Sequence, residues 1–204
     1  IDEESIERFG QWPWPRTLLA KLVERLNELG AAVIGFDILL IDPDRTTPSR
    51  VIKGLEEIPP DDPIVARFAG LPDHDHVLAE AFGRARIVIG FAPRSGELTR
   101  LPQAKFSFAT AGDDPLMWVP QYPSAAPALP MLEAAAAGNG SLGTLLEHDG
   151  IARRVPLLTA IGGKLYPALP LEILRVAQNA RTYIVKSAGA SGVNAFGEHT
   201  GITA

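Results

Sequence analysis

The sequence predicts an α/β fold: a mixed, mainly parallel central sheet flanked by helices, with a β-hairpin in the C-terminal half. Three observations carry this. An amphipathic helical stretch runs through Gly30 directly into the apolar residues 31–36. The same order of helix, glycine and apolar strand recurs at Ala81-Phe82-Gly83 followed by residues 86–91. Helix feeding buried strand is half of an α/β unit, and two such units imply a sheet with parallel members. Finally, His148-Asp149-Gly150 stands between two strand-like segments, with Asp-Gly as the hairpin turn.

Taken in order, Pro13 and Pro15 sit just ahead of and at the first turn of a helix, where a missing N–H costs nothing. Through residues 17–29, Leu18, Leu19, Leu22, Val23, Leu26 and Leu29 recur at helical spacing, opposite Lys21, Glu24, Arg25 and Glu28. Residues 42–73 read as a long connection with a short helix near 64–68, and residues 75–82 as a second helix ended by Gly83. Residues 101–130, poor in charge and rich in proline and aromatics, read as irregular. Residues 131–137 are strong helix formers. Two strands are expected at 141–147 and 151–161, a turn at Gly162-Gly163, an amphipathic helix at 168–180 and a last strand at 183–185.

Composition narrows the function. Hydrophobic residues make up 46% of the 204 and charged residues 21%, which excludes whole-chain disorder. The net charge of -5 argues against a nucleic-acid partner, which needs clustered Lys and Arg to displace counterions. Cysteine is absent, so disulfides, thiolate metal sites and cysteine nucleophiles are excluded. No apolar run of about 18 residues occurs, as a membrane span would require. The opening Ile1-Asp2-Glu3-Glu4 lacks the basic start and apolar middle of a signal peptide, and the chain reads as part of something longer.

Four patterns bear on chemistry. Gly138-Asn139-Gly140-Ser141-Leu142-Gly143 has the letters of a dinucleotide loop, but a helix precedes it and a strand follows, the reverse of what pyrophosphate binding needs. Its glycines read as a helix stop and turn. Asp73-His74-Asp75-His76 offers metal-type ligands, yet at a helix start its carboxylates read as caps. Asp37 closes a buried strand, where ligands of open α/β sheets bind; Asp42 and Asp44, flanking Pro43, read as turn residues. Arg16 is electrostatically misplaced at a helix start, so a specific partner is expected: Asp2, Asp37 or an anionic ligand. Trp12 and Trp14 are expected either under the following helix or on an interaction surface. Arg153-Arg154 reads as a solvated pair. No nucleophile-and-base set is present, and no G-x-S-x-G elbow.

A family resemblance gathers several of these residues. Ile1-Asp2, then the run from Phe9 through Trp12-Pro13-Trp14-Pro15-Arg16, then Gly30 through Gly35-Phe36-Asp37-Ile38-Leu39 resembles the opening of CHASE2 domains. Asp75-His76-Val77-Leu78-Ala79-Glu80-Ala81 resembles the family's next helix. Gly143, Asp149-Gly150, Arg153-Arg154-Val155-Pro156-Leu157 and Tyr166-Pro167-Ala168-Leu169 resemble its second half. The resemblance implies one sensory domain over residues 1–204, with the family's first strand lying before residue 1. It also implies an extracytoplasmic position on the periplasmic face of a bacterial inner membrane, tethered by flanking membrane helices, with a cyclase or kinase as cytoplasmic output. It implies an unidentified small-molecule ligand, a homodimer, no cofactor, no metal and no catalytic set. The matched polar positions are Asp2, Arg16, Asp37, Asp75, Asp149 and Arg154, and the matched aromatics Trp12 and Trp14. Asp2, Arg16 and Asp37 are expected to line one polar pocket, with Asp2 and Asp37 at strand ends. The alternatives are a metal-dependent hydrolase or phosphatase holding a divalent cation between Asp2 and Asp37, and a spacer that carries no ligand signal.

Overall fold

The computed structural model describes residues 2–55, 58–97, 100–146, 148–187 and 190. The chain opens with α1 (Glu3–Phe9), not with a strand end. Asp2 is its N-cap: the carboxylate accepts from the Ser5 amide at 2.9 Å, and Ser5 Oγ accepts from the Asp2 amide at 2.9 Å, a reciprocal capping arrangement. Helix α2 (Arg16–Glu28) starts behind Pro15 and stops ahead of Gly30, whose φ of +82° suits a residue without Cβ. Strand β1 (Ile34–Phe36) follows, then α3 (Pro48–Lys53), α4 (Pro63–Ala69) and α5 (His74–Gly83). The second unit continues as β2 (Ile87–Arg94), β3 (Ser107–Ala111), β4 (Gln121–Tyr122), β5 (Ser124–Ala126), α6 (Pro130–Ala135) and β6 (Gly138–Ser141). The C-terminal part adds β7 (Leu145–Leu146), β8 (Ala152–Arg154), β9 (Leu158–Ile161), β10 (Lys164–Pro167), α7 (Leu169–Ala177) and β11 (Thr182–Lys186).

The main sheet is mixed and mainly parallel. β2 pairs in parallel with both β1 and β6, while its C-terminal end pairs antiparallel with β5. Alternation along β2 sends side chains to two faces. Ile87 and Ile89, with Ile34 and Phe36 of β1, pack into one buried cluster with Leu19 and Val23 of α2, Leu78 and Phe82 of α5 and Leu132 of α6. Val88 faces the other way, against Leu169 and Val176 of α7. Both faces are therefore covered, as the near-continuous apolar strands predicted. Each fully buried Ile, Leu or Phe contributes on the order of 1.5–3 kcal/mol through removal from water, and this core sets the position of everything at the strand ends.

Glycine lets α7 approach the sheet. A Cβ at Gly140 would lie 2.8 Å from the Leu169 amide nitrogen, and one at Gly138 would overlap the Glu172 side chain. Gly138 and Gly140 are thus strand residues under a helix, not the helix stop and turn expected from the sequence. Residues 138–143 form no strand-loop-helix phosphate cradle, since the next element after this strand is β7.

Other expectations need correction too. Residues 101–130 are not irregular: β3, a 3₁₀ turn (Pro115–Met117), β4 and β5 lie there. β3 pairs in parallel with β11, and β4 in parallel with β9, so their partners are distant in sequence. The expected strand at 141–147 is two strands, β6 and β7, and that at 151–161 is β8 and β9. The Asp149-Gly150 hairpin joins only β7 and β8, and a second hairpin, β9–β10, turns at Gly162-Gly163. The connection after β1 holds α3 as well as the short helix foreseen. Among the described residues no helix is long and apolar enough to cross a membrane.

Candidate functional site

The site lies where β1 ends. Asp37, Ile38 and Leu39 leave the sheet, the chain returns through Asp42, Pro43, Asp44 and Arg45, and the Trp12–Arg16 segment stands opposite. Together they line a cavity of about 720 Å³. That size suits a small molecule, and a position outside the carboxyl end of a parallel strand is where open α/β sheets bind ligands.

Beneath the cavity is a buried ionic network. Asp75, in the first turn of α5, is 2% exposed. Its Oδ1 lies 3.4 Å from Arg16 Nε, and its Oδ2 accepts from the Asp44 amide at 2.9 Å. Asp44 Oδ2 accepts from the Arg16 amide at 2.7 Å and lies 3.2 Å from His74 Nδ1. Its Oδ1 accepts from the amide and hydroxyl of Thr46, each at 2.8 Å. Arg16 Nη2 donates to the Asp42 carbonyl at 3.3 Å. The network thus ties the first turns of α2 and α5 to the connection after β1. Burial disfavours the charge on Asp44, but the bonds from Arg16, Thr46 and His74 outweigh it and hold this carboxyl below the ordinary range.

The tryptophans divide their roles. Trp14 is buried, stands edge-on between Phe9 and Trp12 at centroid distances of 5.5 and 5.7 Å, and donates its indole N–H to the Gly10 carbonyl at 2.7 Å. Trp12 is half-buried beside it, and both line the cavity. The polar handle of Trp14 is therefore used inside the fold, and its ring serves as apolar wall.

The chain matches the CHASE2 domain family over residues 1–202, essentially its whole length. The chain belongs to the CHASE2 family. These are extracellular sensory domains found in receptors, and the domain itself is a sensor, not a catalyst. No curated protein and no solved structure matches it.

Of the residues singled out from this CHASE2 sequence, the fold brings together Trp12, Trp14, Arg16 and Asp37 around the cavity, with Asp75 directly below Arg16. Asp2 does not join them. It is exposed, caps α1, and is not among the residues lining the cavity; the Ser5 hydroxyl and amide lower its pKa. The expected Asp2–Arg16–Asp37 pocket is corrected to one without Asp2, and the partner of Arg16 is Asp75. The metal-hydrolase alternative required Asp2 beside Asp37; among the described residues no three His, Asp or Glu are grouped as metal ligands. Asp149 and Arg154 are exposed on the β7–β8 hairpin and do not line the cavity either. The Ile151 amide and Arg153 bond the Asp149 carboxylate and lower its pKa.

Thr46 and Arg45 escaped the sequence reading, and Asp44 and His74 were read only as a turn residue and as one of four metal-type ligands, not as partners in this network. Asp44 does make the turn expected of it, through Oδ1 and the Thr46 amide, and Asp44-x-Thr46 was the available signal. Its second oxygen, bridging two helix starts, left no local trace. Asp73 caps α5 as anticipated, accepting from the amides of Asp75 and His76.

Proposed function

We propose that this CHASE2 domain is the extracytoplasmic ligand-sensing part of a bacterial transmembrane signalling receptor, working as a homodimer held by flanking membrane helices and driving a cyclase or kinase. The reading is supported by one observation above others: a cavity of small-molecule size whose floor is an ionic network joining the starts of α2 and α5 to the connection after β1. A ligand that contacts Arg16 or Asp37 acts on groups that fix the relative placement of those elements. It can shift a two-state equilibrium by as much as its affinity differs between the states, and no more.

The test is a thermal-shift screen of the chain against divalent metals, small anions, amines, amino acids and sugars. A ligand at 100 times its Kd adds about 2.7 kcal/mol, or on the order of 5–10 °C for a domain of this size. A selective shift that Asp37→Ala removes is the expected result. A shift with metals alone replaces the small-molecule reading with a cation held without Asp2, and calls for an activity screen. No shift with any compound overturns the small-molecule reading and leaves the spacer.

A further inference from the structure

The charged groups around the cavity are unequally used, and the unused ones form two sets. The carboxylates of Asp37 and Asp42 line the cavity with no hydrogen bond or ion pair among the described residues. Arg45 lines it too, and has no partner among the described residues. Arg16 is 92% buried by its 8% exposure; it spends Nε on Asp75 and Nη2 on the Asp42 carbonyl. Its Nη1 has no hydrogen-bond partner among the described residues and is not sealed from solvent. An open guanidinium donor on a buried arginine at a cavity wall is suited to an oxyanion. The open carboxylates, with the half-buried face of Trp12 near them, suit an ammonium group.

On the proposed sensing role, we infer that the cavity takes a small zwitterion of the amino-acid class, a molecule carrying one carboxylate and one ammonium. The carboxylate pairs with Arg16 Nη1 and Arg45, the ammonium with Asp37 and Asp42, and the carbon skeleton rests on Trp12 and Ile38. The reason is complementarity. A lone anion leaves the two carboxylates without a counter-charge, and a lone cation leaves the two guanidinium groups without one. A molecule with both charges satisfies both sets without adding net charge.

Calorimetric titration of the chain decides this, using glycine, β-alanine and γ-aminobutyrate to vary the charge separation, and n-butylamine and butyrate as the half-charged controls. At least one zwitterion is expected to bind about tenfold or more tightly than either control, since a charge-assisted hydrogen bond is worth about that much. Asp37→Asn and Arg45→Gln, both at exposed positions, should each weaken it about tenfold, and tryptophan emission should change on binding. Control compounds that bind as tightly as the zwitterions overturn the inference, as does zwitterion binding that neither variant weakens. If no zwitterion binds while another compound of the thermal-shift panel gives a shift that Asp37→Ala removes, the zwitterion assignment fails and the sensing role stands. If nothing in either set binds, both fail.

Discussion

Two buried arginines in this molecule do opposite things. Arg175, on α7, has every guanidinium nitrogen hydrogen-bonded. Its Nε and Nη2 form a two-pronged pair with Glu172 at 2.8 and 2.7 Å, Nη1 donates to the Ala180 carbonyl at 2.6 Å, and Nη2 also reaches the Ala137 carbonyl at 3.3 Å. Tyr183 donates to the same Glu172, and burial together with that carboxylate pushes the Tyr183 phenol well above its usual range. Arg16 meets its carboxylate through Nε alone, at 3.4 Å, lines the cavity, and has an Nη1 without a hydrogen-bond partner among the described residues. Arg175 also borders a groove of about 270 Å³, but it has no nitrogen to spare. Burial of charge therefore does not by itself mark a site. A buried cation whose hydrogen bonds are complete holds elements together; one whose bonds are incomplete beside a cavity can hold something else.

The largest expected effect tests the closed side. In Glu172→Ala, Arg175 loses its counter-charge at 7% exposure and Tyr183 loses its acceptor. Stripping one partner from a buried pair costs about 3–5 kcal/mol. Urea denaturation should show a loss of that order, while whatever binds the cavity binds the remaining folded protein unchanged. A loss below about 1 kcal/mol would remove the distinction drawn here.

An intermediate effect belongs to the cavity floor. The folded-state pKa of Asp44 is lowered from 3.8. As pH falls, the unfolded chain takes up this proton first. The stabilisation is therefore complete above the ordinary carboxylate value and is lost as pH falls through the lower folded value. Stability measured at steps from about pH 6 to pH 2 should decline below roughly pH 4, and Asp44→Asn should flatten the part of that decline owed to this group. An unchanged acid limb in the variant would show that Asp44 does not carry its charge as the geometry requires.

What could be read from the sequence follows from how local the signals are. The leucine spacing of α2, the apolar runs of β1 and β2 and the periodicity of α7 are properties of single segments, and each was legible. β3, β4 and β5 are two to five residues long and pair with β11, β9 and β2, so nothing within residues 101–130 announces them. Gly138 and Gly140 were visible as glycines, but their cause is a helix that arrives some 30 residues later. The site divides the same way. Asp37 was legible as a strand-end carboxylate and Arg16 as a cation in need of a partner. That the partner is Asp75, with Asp44 bridging them, depends on two helix starts meeting in space, a separation of 59 residues between Arg16 and Asp75.

The smallest expected effect on stability is the most informative about function. Asp37 is exposed, has no side-chain partner among the described residues, and follows a strand that is held by its apolar neighbours. Removing such a carboxylate should change stability by no more than about 0.5 kcal/mol. If its charge is kept for a ligand, Asp37→Ala should unfold at nearly the same urea concentration as the parent and yet lose the ligand-induced thermal shift. The converse, a marked loss of stability, would mean that Asp37 holds the loop after β1 in place. The open side of the molecule would then be structural in the same sense as Glu172 and Arg175, and the contrast between the two arginines would no longer locate a site.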